Sequence, residues 1–259
     1  PMNKKDIAHI KELLSTPKNI AIVSHRNPDG DAYGSSLALY HFLIKFGHKV
    51  TVVSPNDSPE FLKWLPSVDR IVIFEEEQKK GTKILNEAEI VFTLDFNDLS
   101  RVGEAMQKVL ESISPIYIMI DHHKQPDDYA TYTYSDASIC STSQMIYQFF
   151  ELMEELASID KNIATCLYTG IVTDTGSFKY QNTTGKTHKI VAHLLDKGID
   201  HTKIHYELYD TNSFDRLQLL GKALSNLKVL KDYRTAYITL SQKELNSFNF
   251  NKGDTEGFV

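Results

Sequence analysis

Residues 25–31, His-Arg-Asn-Pro-Asp-Gly-Asp, place one imidazole and two carboxylates within seven positions. Imidazole and carboxylate together make a ligand set for hard or borderline divalent cations, and Pro28 and Gly30 supply a turn that aims such groups at one point. The same segment also fits a Pro-Asp-Gly turn in which Asp31 caps the following helix. Three further positions bear on the choice. Asp95 follows the apolar run Ile90–Leu94, the triplet Asp121-His122-His123 follows residues 116–120, and Asp174 stands within Gly170-Ile171-Val172-Thr173-Asp174-Thr175-Gly176. Singly, an Asp at a strand end is usually a turn or cap residue, and a His pair a surface feature. Their joint alignment with His25, Asp29 and Asp31 points instead to one site. Oxygen and imidazole donors without thiolates suit Mn²⁺ or Mg²⁺, and several carboxylates can neutralise two such ions. Two-metal sites of this kind act on phosphoryl groups, so the expected reaction class is phosphoester or phosphoanhydride hydrolysis.

The elements that must position these residues are an alternation of short apolar, β-branched runs with segments of helical periodicity. Strand candidates are Asn19–Ser24, Lys49–Ser54, residues 70–74, Ile90–Leu94 and residues 116–120. Such alternation predicts an α/β fold, a doubly wound and mainly parallel sheet with helices on both faces. Loops leaving the carboxyl ends of its strands form the ligand crevice. Helical periodicity marks residues 31–46, ending at Gly47, then 143–156, 160–173, 188–195 and 214–224. Strands return at 225–230 and 235–240 around a polar turn, and Ser241 with Glu244 has the form of a capping box. We therefore expect a catalytic domain over 1–208, a connecting helix or linker over 209–224, and the beginning of a smaller α/β domain over 225–259. The polar stretch 251–259 follows little of that second core, so a longer natural chain is expected.

Composition narrows the function classes. The 259 residues are 41% hydrophobic and 24% charged, as in globular proteins. Net charge is −6 and no long basic run occurs, which disfavours binding along duplex nucleic acid. A small anionic substrate remains compatible, because a bound divalent cation reverses the local sign. No apolar run reaches the roughly 18–20 residues of a membrane span, and the polar start at residues 2–5 is unlike a secretory signal, so a cytoplasmic location is expected. Cys140 and Cys166 lack a C-x-x-C spacing and are expected to be buried and reduced.

At the quoted residues the sequence resembles the DHH phosphoesterases, named for the triplet that stands here as Asp121-His122-His123. The family's opening motif matches His25-Arg26-Asn27-Pro28-Asp29-Gly30-Asp31, its strand-end aspartate matches Asp95, and its fourth motif matches Thr173-Asp174-Thr175-Gly176-Ser177-Phe178. The resemblance covers about residues 18–180 and continues more weakly to the end. It implies two Mn²⁺, with Mg²⁺ as the alternative, bridged by Asp95. His25 and Asp29 complete one site, and Asp31, His122 and Asp174 the other. It also implies that His123 contacts the phosphate or protonates the leaving group, and that Asp121 orients a histidine. Ser141, Thr142 and Ser143 match a small-hydroxyl segment near the site, which makes Ser141 and Thr142 candidates for substrate binding, and Arg101 is a candidate for a substrate phosphate.

Within the family the similarity is greatest to the nanoRNase type, which cuts very short single-stranded oligonucleotides to mononucleotides and dephosphorylates 3′-phosphoadenosine 5′-phosphate. Those enzymes carry a DHH-associated domain with a Gly-Gly-Gly-His loop, which this sequence lacks. The rival readings are an inorganic pyrophosphatase, a RecJ-like exonuclease, a cyclic-dinucleotide phosphodiesterase, or a catalytically silent nucleotide-binding regulatory module. The oligomeric state is left open, a dimer included. Two minor signals are weighed as structural: His201 and His205, four apart, lack a third ligand nearby, and Tyr129, Tyr132 and Tyr134 read as one face of a strand sooner than as base-stacking residues.

Overall fold

Strands that are apolar on both faces pair best in the middle of a layered sheet, and the central strands of a six-stranded sheet are of that kind here. The computed structural model describes residues 2, 4–250, 254–255 and 258. The chain runs α1 (Lys4–Leu13), β1 (Asn19–Ser24), α2 (Gly30–Lys45), β2 (Lys49–Ser54), β3 (Val72–Ile73) and α3 (Gln78–Glu87). It continues with β4 (Ile90–Leu94), α4 (Glu104–Ser112), β5 (Ile116–Asp121), β6 (Tyr132–Ser135), α5 (Thr142–Leu152) and α6 (Lys161–Asp174). The remainder is α7 (Gly185–Asp196), α8 (His201–His205), α9 (Phe214–Ser225), β7 (Lys228–Leu230), β8 (Thr235–Tyr237) and α10 (Gln242–Ser247).

The first six strands form one parallel sheet in the order β3-β2-β1-β4-β5-β6. Ala21, Val23, Val53 and Val91 face one way and bury Leu85 of α3 with Met106 and Leu110 of α4. On the other face Phe92 meets Phe149 of α5 with ring centroids 6.3 Å apart. There Phe42 of α2 also stacks on Phe150 at 4.1 Å. The sheet is therefore covered on both sides, as the sequence predicts. From β1 the chain winds outward to β3, then returns to β4 on the other flank of β1. The loops after β1 and β4 thus part at the topological switch point, where such sheets bind ligands.

Local chemistry differs from the sequence expectation at several points. Of residues 70–74 only Val72–Ile73 pair, at the sheet edge, because Val68–Arg70 closes a 3₁₀ turn led by Ser67 at φ 64°. The tyrosine-rich segment supplies a sixth parallel strand. Helix α5 begins at Thr142 behind the N-cap Ser141, and Leu156–Ser158 is a separate 3₁₀ turn. The cap of α2 is Asp29, which accepts the N–H groups of Asp31 and Ala32, and not Asp31.

Contacts divide the chain into one unit of residues 1–58 and 62–204 and another of 59–61 and 205–259. In the second unit β7 and β8 form an antiparallel hairpin, shorter than the sequence suggests, with Arg234 left-handed at φ 48°. The Ser241 and Glu244 capping box forms as expected. Residues 251–253, 256–257 and 259 of the expected second domain lie outside the described residues. Among the described residues no helix is long and apolar enough to cross a membrane, and Cys140 and Cys166 are buried free thiols.

Helices α2 and α6 pack with almost no space between their backbones. A Cβ at Gly34 would lie 2.6 Å from the Cys166 carbonyl oxygen and 2.9 Å from the Gly170 nitrogen. Backbone atoms cannot rotate away, so Gly34→Ala should cost about 1–3 kcal/mol by overpacking. Urea unfolding should show a lower midpoint with an unchanged slope.

Candidate metal centre

The site gathers at the carboxyl ends of β1, β4 and β5 and at the facing ends of α2, α5 and α6. His25 follows β1, and its Nδ1–H donates to the Arg26 carbonyl at 2.9 Å. That bond turns Nε2 toward the carboxylates, 3.4 Å from Asp95 Oδ2 and 3.9 Å from Asp29 Oδ1. His122 follows β5, with Nε2 3.5 Å from Asp95 Oδ1, 3.4 Å from Asp174 Oδ2 and 3.9 Å from Asp31 Oδ2. Asp95 therefore shows one oxygen to each imidazole. The loop after β4 achieves this with Asp95 left-handed at φ 65°, a conformation that Asp tolerates better than most side chains.

Ligand-type atoms converge in three overlapping groups: His25, Asp29 and Asp95; Asp31, His122 and Asp174; and Asp95, His122 and His123. Within each group the atoms lie within 4.8 Å of one another. Asp31 is almost wholly buried and accepts the N–H groups of Thr142 at 2.6 Å and Ser143 at 2.8 Å. These are the first amides of α5, so the positive end of that helix faces the carboxylate. Asp121 accepts both the Nδ1–H of His123 at 2.7 Å and its backbone N–H at 3.0 Å. This leaves Nε2 of His123, which is partly exposed, available to a ligand.

The remaining predicted residues have different surroundings. The Thr142 hydroxyl donates to Asp95 Oδ1 at 2.9 Å, whereas the Ser141 hydroxyl caps α5 by accepting Gln144 N–H at 3.0 Å. Both residues are fully buried, and their hydroxyls serve the fold of the site. Arg101 is exposed, and its carbonyl accepts the Arg26 N–H at 2.8 Å, which sets its backbone beside the loop of His25. Among the described residues, His201 and His205 join no ligand group. Sequence reasoning missed Asn56. Buried after β2, it accepts the N–H of Asn27, itself left-handed at φ 56°, with a 2.7 Å bond that pins the His25–Asp31 loop. Its position just beyond a strand end was the available signal.

A family model described as DHH family, N-terminal domain, matches residues 19–171. The chain belongs to the DHH family. It is 32% identical over 224 residues to the bifunctional oligoribonuclease and PAP phosphatase NrnA of Thermus thermophilus, a match covering 85% of this chain and 62% of that protein. It is 30% identical over 241 residues to the probable bifunctional oligoribonuclease and PAP phosphatase NrnA of Streptococcus mutans, covering 93% of this chain and 72% of that one. An exopolyphosphatase-related protein from Bacteroides fragilis shares its fold with a TM-score of 0.96 and 41% identity, covering 100% of this chain and 76% of that chain. The chain thus spans less than two thirds of the Thermus relative's length.

Charge in the DHH site is unbalanced unless a cation is present. Burial opposes protonation of His25, but hydrogen bonding and attraction from Asp95, with Asp29, raise its pKa to about 9. The same contest, with Asp95, Asp31 and Asp174 as the attracting carboxylates, raises His122 to about 10. Burial, with repulsion from Asp95 and Asp29, lifts Asp174 to about 6 against the attraction of His122. Burial and the charges of Asp95 and Asp174 push Asp31 well above the usual carboxylate range. Asp95, though buried, is held well below that range by its two imidazole partners. The surrounding carboxylates thus bias both imidazoles toward the protonated form.

Histidine ligates only as the neutral base, and neutral pH lies below both raised imidazole values, about 9 and about 10. Loading with Mn²⁺ should therefore expel the protons of His25 and His122, with any that Asp31 holds, and affinity should fall as pH is lowered. Calorimetry at pH 7 in buffers of different ionisation enthalpy reads the number of protons directly. Release of none would separate these imidazoles from any cation site.

Proposed function

We propose that this DHH protein is a Mn²⁺-dependent two-metal phosphoesterase, acting on very short oligonucleotides and on 3′-phosphoadenosine 5′-phosphate. The observation that carries the reading is Asp95, a buried carboxylate with one oxygen toward His25 and the other toward His122. The donor set fits a pair of hard or borderline divalent ions, since it is all oxygen and nitrogen, convergent and rich in negative charge. We assign His25, Asp29 and Asp95 to one ion and Asp31, Asp95, His122 and Asp174 to the other, with Mn²⁺ preferred and Mg²⁺ the alternative. Two ions so bound supply Lewis acidity toward a phosphoryl group and ready deprotonation of water.

The chain's own residues then divide the work. The hydrogen bond to Asp121 orients His123 and, with the nearby Asp95, raises its pKa despite burial. His123, its Nδ1–H held by Asp121, is assigned to deliver a proton from Nε2 to the leaving oxygen. Thr142 and the α5 amides hold Asp95 and Asp31 in place before substrate arrives. Arg101, exposed and with its backbone beside the His25 loop, is assigned to a substrate phosphate, and Ser141 to supporting that wall of the site. The substrate pair is carried over from the names of the Thermus and Streptococcus relatives. We take residues 1–208 as the catalytic domain, 209–224 as its connection and 225–259 as the beginning of the DHH-associated domain.

Asp95→Ala and Asp174→Ala should each lower turnover by about a thousandfold, the equivalent of about 4 kcal/mol of lost charge stabilisation. Near-native activity in both variants would refute the site. Asp121→Asn should cost about 10–100-fold by releasing His123. The assay compares 3′-phosphoadenosine 5′-phosphate, a dinucleotide, pyrophosphate, polyphosphate and a cyclic dinucleotide under Mn²⁺. Turnover of the first two alone is expected. Turnover of pyrophosphate or polyphosphate alone would replace the substrate assignment.

A further inference from the structure

Helix α6 ends at Asp174, and the chain then turns through three consecutive left-handed residues, Gly176, Ser177 and Phe178, at φ 54°, 57° and 67°. Such a run is uncommon for side-chain-bearing residues and holds here because it is tied from several directions. The Ser177 N–H donates to the Val172 carbonyl at 2.8 Å, and the Phe178 N–H to the Thr175 hydroxyl at 3.0 Å. The N–H groups of Lys179 and Tyr180 both reach the Thr175 carbonyl, at 2.9 and 3.1 Å. The loop leaving the last acidic residue of the site is therefore rigid.

Its two aromatic residues are placed differently. Phe178 is half-buried, its ring centroid 6.4 Å from that of Tyr168 and 5.4 Å from that of His188. Tyr180 lies with its ring over Gly176, so close that a Cβ there would be 2.7 Å from Tyr180 Cζ. Yet Tyr180 is 58% exposed. The other large apolar side chains exposed in this unit, among the described residues, are Ile44, Phe46, Leu152 and Leu195. Ile44, Phe46 and Leu152 lie at the carboxyl ends of α2 and α5, remote from the amino ends of those helices that face the site, and Leu195 lies at the carboxyl end of α7. Tyr180 instead follows Asp174 by six residues and packs on Gly176, two residues past that carboxylate. The tyrosines noted in the sequence have other partners: Tyr134 is buried, the Tyr132 ring centroid lies 6.4 Å from that of His9, edge to face, and the Tyr129 hydroxyl bonds Thr93 at 2.8 Å while its ring packs on the core.

We infer that Tyr180 is a stacking platform for a nucleobase of the substrate, held by the Gly176–Phe178 turn at the rim of the metal centre. The inference rests on the nucleotide phosphoesterase reading proposed above and adds the residue that selects substrates bearing a base. An exposed ring, already ordered against a backbone, loses little freedom on stacking, and stacking tolerates any base because each has a π-face.

The test uses the Mn²⁺-loaded chain and a phosphorothioate dinucleotide carrying 2-aminopurine, with an abasic dinucleotide for comparison. Binding of both is measured by calorimetry, and base stacking by quenching of 2-aminopurine fluorescence. Wild type should prefer the base-bearing ligand and quench it. Tyr180→Ala should lose about tenfold of that preference together with the quenching, and Tyr180→Phe should restore both. Preference and quenching that persist in Tyr180→Ala, or a wild type that shows neither, would overturn the platform. Quenched, base-selective binding by wild type without Mn²⁺-dependent turnover of the unmodified dinucleotide would overturn the phosphoesterase reading and leave the platform standing.

Discussion

The peptide groups of α2 and α6 meet at Gly34 and Gly170, and much else in the molecule depends on that contact. A Cβ at Gly170 would strike the Ser143 side chain and lie 2.8 Å from Asp31 Oδ1. Three helices therefore converge where Gly170 has no side chain. Because α2 carries Asp29 and Asp31 at its start and α6 carries Asp174 at its end, antiparallel packing of the two brings acidic residues from distant parts of the chain together. Helix α5 fills the third side and turns its first amides onto Asp31.

Such packing assembles like charges in a place poor in water, which by itself opposes folding. The structure offsets the repulsion with local means: amides at helix starts for Asp29 and Asp31, a hydroxyl for Asp95, and imidazoles whose raised pKa values let them act as cations. These interactions orient the carboxylates without neutralising them. Under the function proposed above, this cluster would receive divalent cations and, through them, a phosphoryl group. The strained backbone at Asp95 belongs to the same arrangement. A left-handed residue at the end of a central strand lets one carboxylate address both flanks of the switch point.

What could be read from the chain alone was what local rules govern. Alternating apolar runs and helical periodicity determine a covered parallel sheet, and strand-end position marks His25, Asp95 and His122 as facing one crevice, because side chains leaving parallel strands share a common edge. The motif resemblance led to the DHH family from the same residues. Tertiary structure decided what depends on neighbours distant in sequence. It made Asp29 the cap of α2, gave the Ser141 and Thr142 hydroxyls structural partners, recruited Asn56 to the Asn27 loop, partly buried Tyr129 and fully buried Tyr134 while leaving Tyr180 in solvent. Each of these outcomes turns on which hydrogen-bond partner or packing surface arrives from another element, and a linear pattern carries no record of that arrival. The residue types thus determined what chemistry was available, and the packing of α2, α5 and α6 decided which atoms face the site and which are committed to holding it.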